Sequence, residues 1–546
     1  MRGRATLGLV VLVLAQAGCA ACGPPASQLA AHVQVPPRSV MIFFVDGLDQ
    51  ARFEQMIRDE QCPHMRRTFV DGGVRVDHAV TSMPALTYSN STSLITGCFP
   101  GHHGILGNQW FDRRTLEYQD YSHALSYRSV NEHFTTGTLF EILGDQFTIS
   151  VQAHTQRGAS QGIDHEALAA VDWYTQQYSN VDARVGYGID AAFKLAEEQG
   201  RWPSVMLYYF PGVDEVGHQY GSDSQQYAEA VQVVDGAIGR ICRSVQGTRL
   251  RRSTYFVLIS DHGHVATPPG GTFALRDHLE SVLGTTVCDG RAAAGEPDRP
   301  AAGQDDCGIV LVDWGARGAV LHVRGPRGWG SPAPAEQIMA LVERAAAPDV
   351  PAVAAVVWRE GPDRIGARSR GGRAVIERRL LRGVKEYRLT GGDGDPLQYA
   401  SLLGAAVGET LWMSSRQWLQ LTAASEFPDF VPQAMEMMDA VRAGDVVLFA
   451  DENWSFDGQA AGTHGSCKAA DMRIPLYFAG PGLPAGGRVA QGRLVDIMPT
   501  VLDLLGEGRR LAQISPIDGV SLVPDLEAAQ PATASIKRSR PRIRPE

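Results

Sequence analysis

The chain is predicted to fold as an α/β protein, with a doubly wound, mainly parallel sheet flanked by helices and an inserted cap region. Three observations carry this. Continuous apolar runs recur at Ser39–Val45, Ser204–Phe210, Tyr255–Ser260 and Asp445–Ala450, the pattern of strands buried on both faces. Between them, Val185–Gln199 and Gln225–Val245 carry apolar residues at three- and four-residue steps, the helical period. The first run stops at Asp46-Gly47 and the third at Asp261, which places acids at the carboxyl ends of strands, where open α/β sheets bind ligands.

At 546 residues the chain has room for one large α/β domain plus an insertion. Hydrophobic residues make up 44% and charged residues 20%, as in an ordinary globular protein. A formal net charge of -10 argues against a nucleic-acid-binding surface, which needs a basic excess.

In chain order, Met1-Arg-Gly-Arg4 and the apolar run Ala5–Ala17 have the form of a secretory signal over 1–22, too short to span a bilayer. Two processing routes stay open: a lipoprotein-type cut before Cys19, which would attach the protein to a membrane by an N-terminal lipid, or an ordinary cut near Ala21. Either makes the protein extracytoplasmic, in the periplasm of a bacterium or anchored to its membrane. Six cysteines lie beyond Cys22, which allow about 15 pairings. Cys288 and Cys307 flank a loop rich in Pro, Gly, Ala and Asp and are the best local pair.

The region 38–270 is the first part of the core, and 443–510 is its return, with Ile474–Ala479 rejoining the sheet. Between them 271–442 reads as the cap, with Gly/Pro/Asp-rich loops and a hairpin pairing Gly308–Val312 with Ala319–Val323. The cap is expected to shape the substrate pocket. From 526 to 546 the chain ends in a basic, Pro-broken stretch for which disorder is expected.

Candidate chemistry lies in Asp46, Asp214, His218, Asp261, His262 and His464, each just past an apolar run or in a Gly-rich turn. Three carboxylates and three imidazoles without a thiolate suit Zn²⁺, with Mn²⁺ or Mg²⁺ less favoured because of the histidines. Thr87 begins a short helical run and is a candidate nucleophile, but an unassisted hydroxyl is a poor one and needs a base or a metal beside it. Asp214 and His218 are four apart, and Gly217 between them favours a loop over a helix. His102, His103 and His264 adjoin these motifs and are expected to be supporting residues, because six ligands already fill two sites.

Together, Phe-Phe-Val-Asp46-Gly, Thr87-Tyr-Ser-Asn-Ser, Asp214-Glu-Val-Gly-His218, Ser-Asp261-His262-Gly and Gly-Thr-His464-Gly-Ser resemble, in order, the motif set of the alkaline phosphatase superfamily. The nearest branch is that of the type I phosphodiesterases/nucleotide pyrophosphatases. The resemblance implies two Zn²⁺, one held by Asp214, His218 and His464 and the other by Asp46, Asp261 and His262, with Thr87 as a further ligand of the second. For a chain that its first residues mark for export, it implies a phosphodiesterase/nucleotide pyrophosphatase acting through a phospho-threonine intermediate on a phosphorylated small molecule, nucleotide-like in character. Asn108 resembles the family asparagine that donates to a phosphoryl oxygen. Gln491–Gly506 resembles the capped helix that closes the family fold.

The superfamily's monoesterases present a Lys and an Arg in a Lys-Asp-Arg-Gly-Ala-like turn. The comparable stretch here is His154-Thr-Gln-Arg-Gly-Ala159, so Thr155 replaces the Lys and Arg157 is left as the substrate-binding candidate. That favours diesters over monoesters. Phosphomonoesterase activity is the alternative, and a catalytically silent surface lipoprotein that binds phosphorylated ligands is a third reading. Thr87-Tyr-Ser-Asn-Ser lacks every element of a sulfatase motif, and Ser89 and Ser91 stand where many family members carry Pro and His.

Overall fold

The computed structural model describes residues 29–123, 126–164, 171–294, 307–404, 411–456, 460–514 and 516–531. The proposed signal segment and Lys537–Arg544 lie outside the described residues.

A ten-stranded sheet organises the core. Its order is Gln530–Pro531, Gly487–Arg493, Val74–Val80, Leu476–Ala479, Thr254–Ile259, Ser39–Val45, Val205–Phe210, Thr148–Val151 and Gln161–Ile163, with Arg473–Ile474 paired to Val74–Val80 off this path. Ser39–Val45 is parallel to both neighbours, with Val45 opposite Phe210 and Phe44 opposite Ile259. Every residue of this strand is buried, Met41 and Phe43 in one apolar core and Val40, Ile42 and Phe44 in another, so helices cover both faces. Leu476–Ala479 rejoins the sheet as expected, but antiparallel to its neighbours.

The predicted hairpin forms, with Ile309 opposite Val323 and Val312 opposite Val320, and Cys288 is bonded to Cys307. Both belong to a second, nine-stranded sheet. Val446–Ala450 lies in this sheet too, antiparallel between Gly318–Val323 and Val353–Gly361, and not in the parallel sheet where its sequence placed it. A strand buried on both faces is apolar throughout whichever way its neighbours run, so the run itself could not separate the two.

Two further expectations change. Gln491–Gly506 is not helical throughout: Gly487–Arg493 is a strand, and the helix is Ile497–Leu505. The ordered chain also runs past 526, through the helix Val523–Ala528 with Leu526 buried, to Gln530–Pro531 on the sheet edge.

Candidate functional site

Three adjacent parallel strands deliver the site. Thr254–Ile259, Ser39–Val45 and Val205–Phe210 end at one edge, and beyond their carboxyl ends stand Asp261 and His262, Asp46, and Asp214. Asp214 and His218 share the helix Gly212–Tyr220, so the loop expected from Gly217 is a helix, and its four-residue spacing puts both side chains on one face. Thr87 is the first residue of the helix Thr87–Thr96, and the Asn90 amide pins the preceding turn through the carbonyls of Ser82, Pro84 and Leu86. His464 follows Gly462–Thr463, which pairs with Val265–Ala266 three residues beyond His262.

The side chains converge. His262 Nε2 lies 3.1 Å from Asp261 Oδ2, 3.3 Å from Asp46 Oδ1 and 3.3 Å from Thr87 Oγ1. His218 Nε2 lies 3.1 Å from Asp214 Oδ2, and His464 Nε2 lies 3.8 Å from Asp214 Oδ1. The His262 and His464 rings stack at 3.5 Å, joining the two halves. Gly47 closes the arrangement at φ +60: its N–H donates to Asp261 Oδ1 at 3.0 Å, and a Cβ there would come 2.4 Å from Asp214 Oδ1.

Each of the three histidines donates Nδ1–H to a backbone carbonyl: His218 to Gly462 at 2.8 Å, His262 to Gly263 at 3.0 Å and His464 to Ala85 at 2.9 Å. That fixes the tautomer and turns an Nε2 lone pair toward the carboxylates. Asp46 Oδ1, Asp214 Oδ1 and Asp261 Oδ2 are buried without a hydrogen-bond partner among the described residues. Unpaired buried carboxylates beside imidazole lone pairs are costly until a cation joins them, so the donor set fits divalent metals. Asp46, Asp261 and His262 form one group with the spacing to hold an ion; Asp214 contributes to others, with His262 and His464 or with His218 and His264.

Burial disfavours a charge on His218 and His262, but Asp214 holds His218 up at about 9 and Asp261 holds His262 well above the imidazole range. Burial, with Asp261 and Asp214 alongside, raises Asp46 well above the carboxylate range. Burial would raise Asp214 too, but His218 and His464 hold it well below that range. Burial lowers His464, and the neighbouring His262 lowers it further.

Asn108 reaches the site: its Oδ1 accepts the Tyr88 N–H at 3.3 Å, which leaves its amide N–H₂ beside the Thr87 turn. Arg157 does not. Its guanidinium binds Glu141 at 2.9 Å and the carbonyls of Phe134 and Thr136 and covers the Phe134 ring at 4.0 Å, while Thr155 Oγ1 bonds Ser91 Oγ at 2.9 Å. Glu141, sixteen residues upstream, engages this arginine, which the turn motif could not reveal. Sequence reasoning also missed Tyr209, whose hydroxyl donates to Asp46 Oδ2, and Thr81, whose hydroxyl donates to the Asp261 carbonyl.

His218 is the half-exposed member of the cluster and opens on a pocket of about 270 Å³ lined by Gln176, Tyr178, Glu215, Gln219, Ala316 and Ala460. Of these only Ala316 belongs to 271–442, so this pocket is built chiefly by the core.

Residues 40–361 match the family described as type I phosphodiesterase / nucleotide pyrophosphatase. An uncharacterised pyrophosphatase/phosphodiesterase of Schizosaccharomyces pombe is 25% identical over 213 residues, 37% of this chain and 40% of the relative. Human ectonucleotide pyrophosphatase/phosphodiesterase family member 1 is 24% identical over 232 residues, 39% of this chain and 22% of the relative. The chain thus spans well under two thirds of the length of these relatives. Murine ectonucleotide pyrophosphatase/phosphodiesterase 5 superposes with a TM-score of 0.55 at 13% identity over 90% of this chain and 100% of its own, and was also solved as an inactive variant with AMP.

Proposed function

Because the chain belongs to the type I phosphodiesterase / nucleotide pyrophosphatase family, we propose that it is an exported, two-metal phosphodiesterase that cleaves phosphodiester or pyrophosphate bonds of a nucleotide-like substrate. The observation that carries this reading is the convergence of Thr87 Oγ1, three buried carboxylates with unpaired oxygens and three imidazole Nε2 atoms at one sheet edge. Asp214, His218 and His464 would hold one Zn²⁺ and Asp46, Asp261 and His262 the other. Bound there, the cations would supply Lewis acidity to the phosphoryl oxygens and lower the pKa of the attacking hydroxyl.

Thr87 Oγ attacks phosphorus and forms a P–O bond as the bond to the leaving oxygen breaks, and water then releases the product from Thr87. The Asn108 amide donates to a phosphoryl oxygen, an interaction worth about 3 kcal/mol when such a donor is fixed in place. A solved relative with AMP bound supports a nucleotide-like ligand. Engagement of Arg157 by Glu141 supports diesters, because the His154–Ala159 turn then offers no cation to the second charge of a monoester. The kcat/KM values for a nitrophenyl nucleotide diester and for nitrophenyl phosphate test this. The diester should be preferred, and a tenfold monoester advantage would overturn it.

Export rests on the 1–22 segment; no described helix is long and apolar enough to cross a membrane. The mature protein should begin at Cys19 or within a few residues of it, and an intact Met1 by mass spectrometry would exclude export. The core is divided by one insertion, and membership of Val446–Ala450 in the second sheet supports its extension from 271 to about 456.

A further inference from the structure

His264 lies two residues beyond His262, and its side chain is fully buried. Neither of its ring nitrogens has a hydrogen-bond partner among the described residues, and the same is true of Asp214 Oδ1. These two orphans face each other: His264 Nε2 is 3.6 Å from Asp214 Oδ1, while Asp214 Oδ2 turns to His218. An uncharged imidazole has one N–H to place, and a buried N–H and a buried carboxylate oxygen each lose free energy if left unpaired.

The ring is held in a slot made for it. A Cβ on Gly217, between Asp214 and His218, would come 2.7 Å from His264 Nε2, and one on Gly462, two residues before His464, would come 2.6 Å from its Cε1. The His264 carbonyl is fixed by Ser222 Oγ at 3.0 Å. His264 also differs from the three proposed histidine ligands: none of the described backbone carbonyls takes its Nδ1–H, the contact that aims their Nε2 atoms at the centre.

We infer that His264 is a positioning residue: its Nε2–H donates to Asp214 Oδ1 and orients this carboxylate so that Oδ2 is presented to the metal shared with His218. Closing the gap from 3.6 Å to hydrogen-bond distance needs a shift of only a few tenths of an ångström. The inference rests on the two-metal reading above.

Zinc titration of the metal-free protein against a fluorescent zinc chelator tests it, comparing wild type with His264→Leu and His264→Gln. Leucine fills the slot without an N–H, whereas glutamine returns an N–H at similar reach. His264→Leu should lose about tenfold or more in affinity at one of two sites, the range expected for a lost support to a ligand. His264→Gln should bind close to wild type. Melting of the metal-free variants tests for general unfolding, and if His264→Leu fails to fold, His264→Met, which also fills the slot without an N–H, takes its place. Unchanged affinity in His264→Leu makes the ring mere filler and overturns the inference, and equal loss in both variants makes His264 a direct ligand and overturns it too. Wild type that binds no metal would remove the two-metal reading itself.

Discussion

Arg317 and Asp471 form a buried, two-pronged pair, with Nε to Oδ1 at 2.9 Å and Nη2 to Oδ2 at 3.0 Å, where the second sheet meets the loop that carries His464. Asp471 also accepts the Ser466 N–H on Oδ1 and the Gly263 N–H on its carbonyl, so it ties down the segments after both His464 and His262. Asp471→Ala would leave the Arg317 charge buried and unpaired, at a cost of about 3–5 kcal/mol. Urea denaturation measures this, and a loss below about 1 kcal/mol would show that the junction does not depend on the pair.

Asp182 lies in the core under the helix of Asp214 and His218, and its Oδ1 accepts the Gly212 N–H at 2.9 Å. Burial pushes its carboxyl up to about 8. The folded state therefore holds a proton that the unfolded state releases. The stability this proton contributes is complete below the ordinary carboxylate range and is lost as pH rises toward about 8, by up to about 1.4 kcal/mol per pH unit. Asp182→Asn keeps the acceptor for Gly212 and should flatten the fall in stability between pH 5 and 8. An identical pH dependence in variant and wild type would contradict this origin.

Metal removal should do more than stop turnover. Without cations, Asp46, Asp214 and Asp261 face one another with unpaired oxygens, so chelation should lower the melting temperature as well as activity. Zn²⁺ should restore both, and Mg²⁺ less completely, because imidazole ligands favour zinc. Full activity after exhaustive chelation would contradict a metal-dependent reaction.

The site was legible in the sequence to the extent that its groups sit at strand ends. Asp46 and Asp261 follow buried apolar runs, and the geometry of a parallel sheet then brings them together. What was not legible depended on partners distant in sequence. The Asp214–His218 segment stays helical although it contains Gly217, and the space a side chain would take there is filled by His264. Arg157 is taken by Glu141, and Val446–Ala450 owes its sheet to partners at Gly318–Val323 and Val353–Gly361 rather than to its own composition.

The proposed chemistry rests on Thr87 Oγ1, 3.3 Å from His262 Nε2 at the start of its helix. The most direct test is turnover of a nitrophenyl nucleotide diester by Thr87→Ala, with bound metal measured on the same sample. Loss of the nucleophile should lower kcat by at least about a thousandfold, several kcal/mol of transition-state stabilisation, while the metals stay bound to their six other ligands. Turnover within tenfold of wild type, with metals in place, would contradict Thr87 as the nucleophile.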